Sequence, residues 1–123
     1  MAFEQLTEKI IGCAMNVHSA LGPGLLENAY KECLYYKLTK SGFLVEKEKS
    51  MPLVFEGIEL DCGYRIDLLV ENEIVLELKS VKKIEDIHLA QILTYMKLGK
   101  FKIGLIINFN TQLLKDGIKR VIN

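Results

Sequence analysis

Tyr64-Arg65-Ile66-Asp67-Leu68-Leu69-Val70, followed after Glu71-Asn72-Glu73 by Ile74-Val75-Leu76-Glu77-Leu78-Lys79, is the stretch that decides the fold. It reads as two apolar strands interrupted only by Arg65, Asp67, Glu77 and Lys79. Charges rarely sit inside such runs unless they are paired or hold a metal, because desolvating an unpaired carboxylate is very costly. Side chains alternate faces along a strand, and directly opposed residues share a face. A two-residue turn at Glu71-Asn72 would pair Val70 with Glu73, set Asp67 opposite Leu76 and point Glu77 the other way. A three-residue loop, Glu71-Asn72-Glu73, pairs Val70 with Ile74, Leu68 with Leu76 and Ile66 with Leu78. One face is then wholly apolar, and the other sets Arg65, Asp67 and Leu69 against Lys79, Glu77 and Val75. A one-residue slip would bury charge throughout, so the hydrophobic pattern selects the odd loop. Asp67 then lies across from Glu77, with Lys79 one pleat along.

Downstream, Ile84 to Leu98 has mostly apolar residues at helical spacing, closed by Gly99, and Lys102 to Phe109 holds the run Ile103-Gly104-Leu105-Ile106-Ile107. Such an unbroken run is typical of a strand covered on both faces. The 74–79 strand, this helix and the 102–108 strand make a βαβ unit, expected to be right-handed with parallel strands. Upstream, Leu6, Ile10, Ala14, Val17 and Leu21 recur at helical spacing from Phe3 to Leu21. Gly22-Pro23-Gly24 ends that helix, and a second is expected from about Leu25 to Lys40, with Gly42 as its stop. Phe43 to Leu60 reads as a hairpin, with Leu44 to Lys49 in one arm and a turn near Glu56-Gly57. Pro52 marks a strand start or an edge. The order is ααββββαβ, with a short final strand or helix near Ile118 to Ile122. The fold class is therefore α/β, a mixed sheet flanked by helices on both faces.

A chain of 123 residues is one domain's worth. The formal net charge is zero, which removes any global electrostatic argument for nucleic acid. Attraction to phosphate then needs local clusters or a bound cation. Cys13, Cys33 and Cys62 are odd in number and lack C-x-x-C spacing, so they read as reduced, mostly buried small hydrophobes. The N-terminal segment is not a signal peptide, and no apolar run approaches the roughly 20 residues of a membrane span. A cytoplasmic protein without membrane attachment is expected.

The resemblance to a family becomes specific at three motifs. Asp67, nine intervening residues and Glu77-Leu78-Lys79 resemble the catalytic core of the PD-(D/E)XK nuclease superfamily, whose element order is similar. Gly24-Leu25-Leu26-Glu27-Asn28-Ala29-Tyr30 matches the G-x-x-E-x-x-Y signature of a family of small bacterial and archaeal proteins assigned to that superfamily. Gln91-Ile92-Leu93-Thr94-Tyr95 resembles the Q-x-x-x-Y motif of helicase-coupled exonucleases in the same group. Ile66 stands where the superfamily's name has proline, a position that varies within it.

The resemblance implies one restriction-endonuclease-like domain over residues 1–123 and a Mg²⁺- or Mn²⁺-dependent hydrolase acting on nucleic acid, DNA ahead of RNA. Asp67 and Glu77 would hold metal with the carbonyl of Leu78, and Glu27 would join directly or through water, since Mg²⁺ takes oxygen ligands and keeps several waters. Lys79 would be catalytic. Tyr30, Gln91, Tyr95, Lys82 and Lys83 would support the site or contact nucleic acid. Each residue also has a plainer reading. The four strand charges would make surface ion pairs; Glu27 would answer the helix dipole. Tyr30 would be core, Gln91 and Tyr95 the polar rim of a buried helix, and the lysines solvated surface. His88, on the same stripe as Gln91, reads as structural or solvent-facing. Small size makes a homodimer or a larger protein partner an expectation. The alternative function is a catalytically weak nuclease-fold module that binds nucleic acid or a protein.

Overall fold

The computed structural model describes residues 1–123. Its elements in order are α1 (Phe3–Leu21), α2 (Glu27–Lys40), β1 (Val45–Ser50), β2 (Leu53–Phe55), β3 (Ile58–Leu60), β4 (Arg65–Val70), β5 (Ile74–Lys79), α3 (Asp86–Gly99), β6 (Ile103–Asn108), a 3-10 turn (Leu114–Gly117) and β7 (Ile118–Ile122). The main sheet has the order β1-β4-β5-β6-β7, with β5 and β6 parallel and the other pairs antiparallel. It is the expected mixed α/β sheet with helices on both sides; the chain between α2 and α3 forms five strands where four are expected, three of them in this sheet. The final segment is a strand.

One core lies between the sheet and α1 with α2, joining Leu6, Ile10, Tyr30 and Leu34 to Leu68, Leu76, Leu105 and Ile107. The other lies under α3, joining Ile92, Tyr95 and Met96 to Leu69, Val75 and Ile106. Alternate residues of β6 therefore enter opposite cores, which is why its sequence is continuously apolar. Gly104 admits α3: a Cβ there would stand 2.8 Å from Met96 Sδ and 2.9 Å from Ile92 Cδ1. α3 ends on Lys100 in the left-handed conformation, one residue past the expected Gly99.

The Leu44–Lys49 region does not form an arm of the following hairpin. β1 crosses to pair with β4, adding Val45 to the α1–α2 core, and β2 with β3 forms a separate two-stranded ribbon. Glu56 and Gly57, at φ 51° and 78°, supply its tight turn. Cys13 is buried as expected, whereas Cys62 is exposed in the β3–β4 connection; all three cysteines are free. No helix is long and apolar enough to cross a membrane.

The decisive hairpin adopts the odd register, with Val70 on Ile74, Leu69 on Val75 and Leu68 on Leu76. Glu71 and Asn72, both at φ 54°, form the turn, and the N–H of Glu73 donates to Val70 O at 3.0 Å. Glu73 is thus the extra residue that separates this register from the two-residue alternative. Beyond Leu68–Leu76 the ladder stops, and the expected Ile66–Leu78 pair does not form. On its other side, β4 pairs with β1 on both flanks of Asp67 but not at Asp67 itself, where Glu48 turns to φ 55°. Asp67 is therefore outside both ladders. The strict alternation slips there: Leu68 enters the α1–α2 core, whereas Ile66 enters the α3 core instead of sharing Leu68's face.

Candidate active site

Where the ladder stops, side chains replace backbone partners. Asp67 N–H donates to Glu77 Oε1 at 3.3 Å, and Leu78 N–H donates to Asp67 Oδ2 at 2.8 Å. Each acid thus caps the other strand, and the two carboxyls are held together at the mouth of the opened hairpin. Thr7 Oγ1 is the only buried side-chain polar atom without a partner. The second oxygens of Asp67 and Glu77, which take no N–H from the chain, are consequently reached from the cleft outside.

That cleft, of about 500 Å³, brings β4 and β5 together with both flanking helices. β4 and β5 contribute Arg65, Asp67, Glu77, Leu78 and Lys79. α2 and its approach contribute Leu26, Glu27, Asn28 and Lys31, and α3 contributes Gln91 and Tyr95. Gln91 and Tyr95 meet because residues four apart share a helix face, and Gln91 Nε2 donates to Tyr95 Oη at 3.3 Å.

The electrostatics are uneven. Glu77 is only 6% exposed. Its burial, then the charge of Asp67, push its carboxyl up to about 9, against the downward pull of the Asp67 N–H and of Lys79. Burial, and next the charge of Glu77, also raise the phenol of Tyr95. Lys79 has no carboxylate within ion-pair distance, whereas Lys31 is tied to Glu48 at 2.9 Å. A buried carboxyl that holds its proton this firmly is short of positive charge. The donor set of hard oxygens on two adjacent strands fits a divalent cation. Glu27 lines the same cleft, but Glu27, Asp67 and Glu77 do not converge as a direct three-carboxylate cluster.

Some sequence-predicted residues lie elsewhere. Tyr30 is fully buried and does not line the cleft. Its ring stacks on Phe109 at 4.4 Å, its hydroxyl donates to Gly22 O at 2.6 Å, and it accepts from Leu25 N–H at 3.1 Å. The residue before Glu27's turn is thereby clamped, and Ser80 Oγ, just past β5, donates to Leu25 O at 2.6 Å. Lys82 and Lys83 are exposed on the loop after β5, outside the lining. His88 closes the first turn of α3, its Nδ1 accepting from Glu85 N–H at 2.9 Å.

Asn28, Lys31 and Asn108 are not among the sequence-predicted residues. Lys31 carried a readable signal, since it stands four residues after Glu27 on one helix face. Asn108, a polar end to the apolar run of β6 and 2% exposed, exchanges two hydrogen bonds with the backbone of Val81 at 2.9 and 3.1 Å. It pins the segment leaving Lys79.

A mixed α/β sheet whose central hairpin opens onto an Asp, a Glu-x-Lys and a helix-borne Gln defines the nuclease-like class of this fold. A profile of the PD-(D/E)XK nuclease superfamily matches residues 4–121, and the chain belongs to that superfamily. Its members typically use a divalent metal, and a nucleic-acid substrate is implied in general terms. No curated protein and no solved structure matches the chain.

Proposed function

We propose that this protein is a Mg²⁺- or Mn²⁺-dependent nuclease that hydrolyses nucleic-acid phosphodiester bonds. The observation that carries the reading is the junction of Asp67, Glu77 and an acid-free Lys79 in one cleft with Glu27 and Gln91. Asp67, Glu77 and the Leu78 carbonyl would hold the metal, with Glu27 contributing through water. When bound, the metal polarises the scissile phosphate and makes a water nucleophilic near neutral pH. Three acids and three bases (Glu27, Asp67 and Glu77; Lys31, Arg65 and Lys79) line the cleft, so a divalent cation leaves it positive, the sign phosphate requires. Lys79 offsets the charge that builds on the phosphoryl oxygens and orients the water. Hydrolysis joins the water oxygen to phosphorus and breaks one bridging phosphorus–oxygen bond. Arg65 and Lys31 hold flanking phosphates, Gln91 and Tyr95 brace the Lys79 side, and Tyr30 positions Glu27 through its loop. DNA is the preferred substrate of this reading, in the GxxExxY branch of the superfamily.

One observation favours a second reading, a binding module for nucleic acid or a protein with little turnover: Glu27 does not complete a direct carboxylate cluster. Incubation with plasmid, linear and single-stranded DNA and with RNA, with and without Mn²⁺, separates the two. Cleavage that needs metal and falls by about 10²–10³-fold in Asp67→Ala and in Lys79→Ala is the expected result. Cleavage surviving in both variants belongs to a contaminant and removes the proposal; binding without cleavage selects the module.

A further inference from the structure

Gln91 and Tyr95 also line a second concavity, of about 350 Å³, whose remaining walls are Leu53, Tyr64, Ile87, Ala90 and Thr94. The two hollows adjoin at those two side chains but are opposite in chemistry. Six charged side chains line the cleft, and none lines the groove. A phosphate has no charged partner in the groove, whereas a flat ring with a polar edge meets apolar walls and neutral hydrogen-bonding groups there. Tyr64 is 43% exposed and leans edge-on against the buried Tyr95, with centroids 6.2 Å apart at 60°, so its ring is held ready as a stacking surface. Ile87, 68% exposed, adds apolar surface to the same groove. Gln91 spends one N–H on Tyr95 Oη and keeps its other N–H and its carbonyl for a base edge. The Thr94 hydroxyl donates to Ala90 O at 3.0 Å and so is left as an acceptor.

We propose that this groove binds an unstacked nucleobase of the strand whose phosphate occupies the cleft, which makes single-stranded nucleic acid, or a frayed end or flap, the substrate class. The inference rests on the nucleic-acid reading of the adjoining cleft. A base inside an intact duplex reaches such a groove only after unstacking and unpairing, and this penalty is absent in a single strand. Aromatic stacking gives affinity without strong sequence preference, because every base has a π face.

The test is fluorescence anisotropy with the whole chain and Ca²⁺ in place of Mg²⁺. The probes are a short mixed-sequence single-stranded DNA, the same strand with abasic residues, and its blunt duplex. The single strand should bind about 5- to 150-fold more tightly than the abasic strand, and more tightly than the duplex. Tyr64→Ala and Ile87→Ser, both at exposed positions, should erase or sharply reduce that difference without weakening abasic binding, and Tyr64→Phe should retain it. Equal affinity for base-bearing and abasic strands overturns the proposal, as does an absence of binding or a difference that survives Tyr64→Ala. If Tyr64→Ala instead turns a dimer into a monomer in sedimentation and leaves discrimination unchanged, the groove belongs to a second copy of the chain. Cleavage with Mn²⁺, followed in parallel, keeps the two readings apart. Discrimination without cleavage supports the groove and removes the nuclease; cleavage without discrimination does the reverse.

Discussion

The two ends of the β4–β5 hairpin are built from the same kind of sequence and behave oppositely. At the loop end, Leu68, Leu69 and Val70 pair with Leu76, Val75 and Ile74, and all six side chains have no exposed surface. One pleat further, the strands stop pairing, and two carboxyls cap the backbone N–H groups that the ladder leaves unmatched. The closed end gains from burial on both faces of the sheet. The open end brings together an acid pair that is unfavourable without a cation, and packing nearby makes that tolerable. Stability and chemistry are thus divided along one hairpin, and each can be attacked separately.

The largest effect is expected at the closed end. Leu76→Ala removes a side chain from the α1–α2 core, which should cost about 2–5 kcal/mol through lost burial and an unfilled cavity. Urea unfolding followed by circular dichroism reads that loss directly. The folded fraction should keep its metal-dependent stabilisation, because the acids lie outside the damaged layer. A cost below about 1 kcal/mol would mean that the closed end does not anchor the hairpin.

Much of this division was legible from alternation alone. The odd register follows because any slip would bury charge across a whole face, and the structure keeps it. The α1 stripe of Leu6, Ile10, Ala14 and Val17 likewise packs as spaced. The interruption of both ladders at Asp67 was not legible, because strand alternation does not mark where pairing stops, and on the β1 side it coincides with the left-handed backbone of Glu48 in another strand. The partner of β1 was hidden for a related reason: Pro52 and the Glu56-Gly57 turn mark a hairpin locally, while pairing with β4 is decided by distant burial. Tyr30 shows a third limit. A phenol suits a core or a site equally well in sequence, and only the positions of Gly22, Leu25 and Phe109 assign its ring and hydroxyl to the interior. The charged face, in contrast, leads from sequence to one cleft for Asp67, Glu77 and Lys79, and the family motifs add Glu27, Gln91 and Tyr95, which line the same cleft.

The next effect tests the unfavourable character of the open end. In the folded, metal-free chain the Glu77 carboxyl is pushed up to about 9, against 4.5 as its ordinary value. The folded state therefore holds a proton that the unfolded chain has released. Stability from this group is complete below its unfolded pKa and is lost as pH rises through its folded one. Metal-free protein should weaken across that window by an amount of the order of a few kcal/mol, and Glu77→Gln should flatten the slope. Mn²⁺, binding only the folded site, should restore wild type and leave Glu77→Gln little changed. Urea midpoints against pH decide it; parallel curves for wild type and Glu77→Gln would show that no buried proton distinguishes the two states.

The smallest effect carries the same contrast onto α2. Tyr30 and Glu27 lie three residues apart, yet one hydroxyl is enclosed in the clamp at Gly22 and Leu25 while the neighbouring carboxylate lines the cleft. Tyr30→Phe keeps the ring on Phe109 but deletes both hydroxyl bonds, so it should cost about 0.5–1.5 kcal/mol of stability. Its cleavage should fall mainly through a looser Glu27. Glu27→Gln should leave the urea midpoint nearly unchanged, because the side chain is exposed, and should lower cleavage at limiting Mn²⁺ more than at saturating Mn²⁺. If Glu27 instead acts only on the helix dipole, its loss should move stability by about 0.3–1 kcal/mol and leave the metal dependence untouched. Measuring both variants in both assays separates a residue that holds the loop from one that serves the site, because a purely structural Glu27 cannot shift the Mn²⁺ concentration that half-activates cleavage.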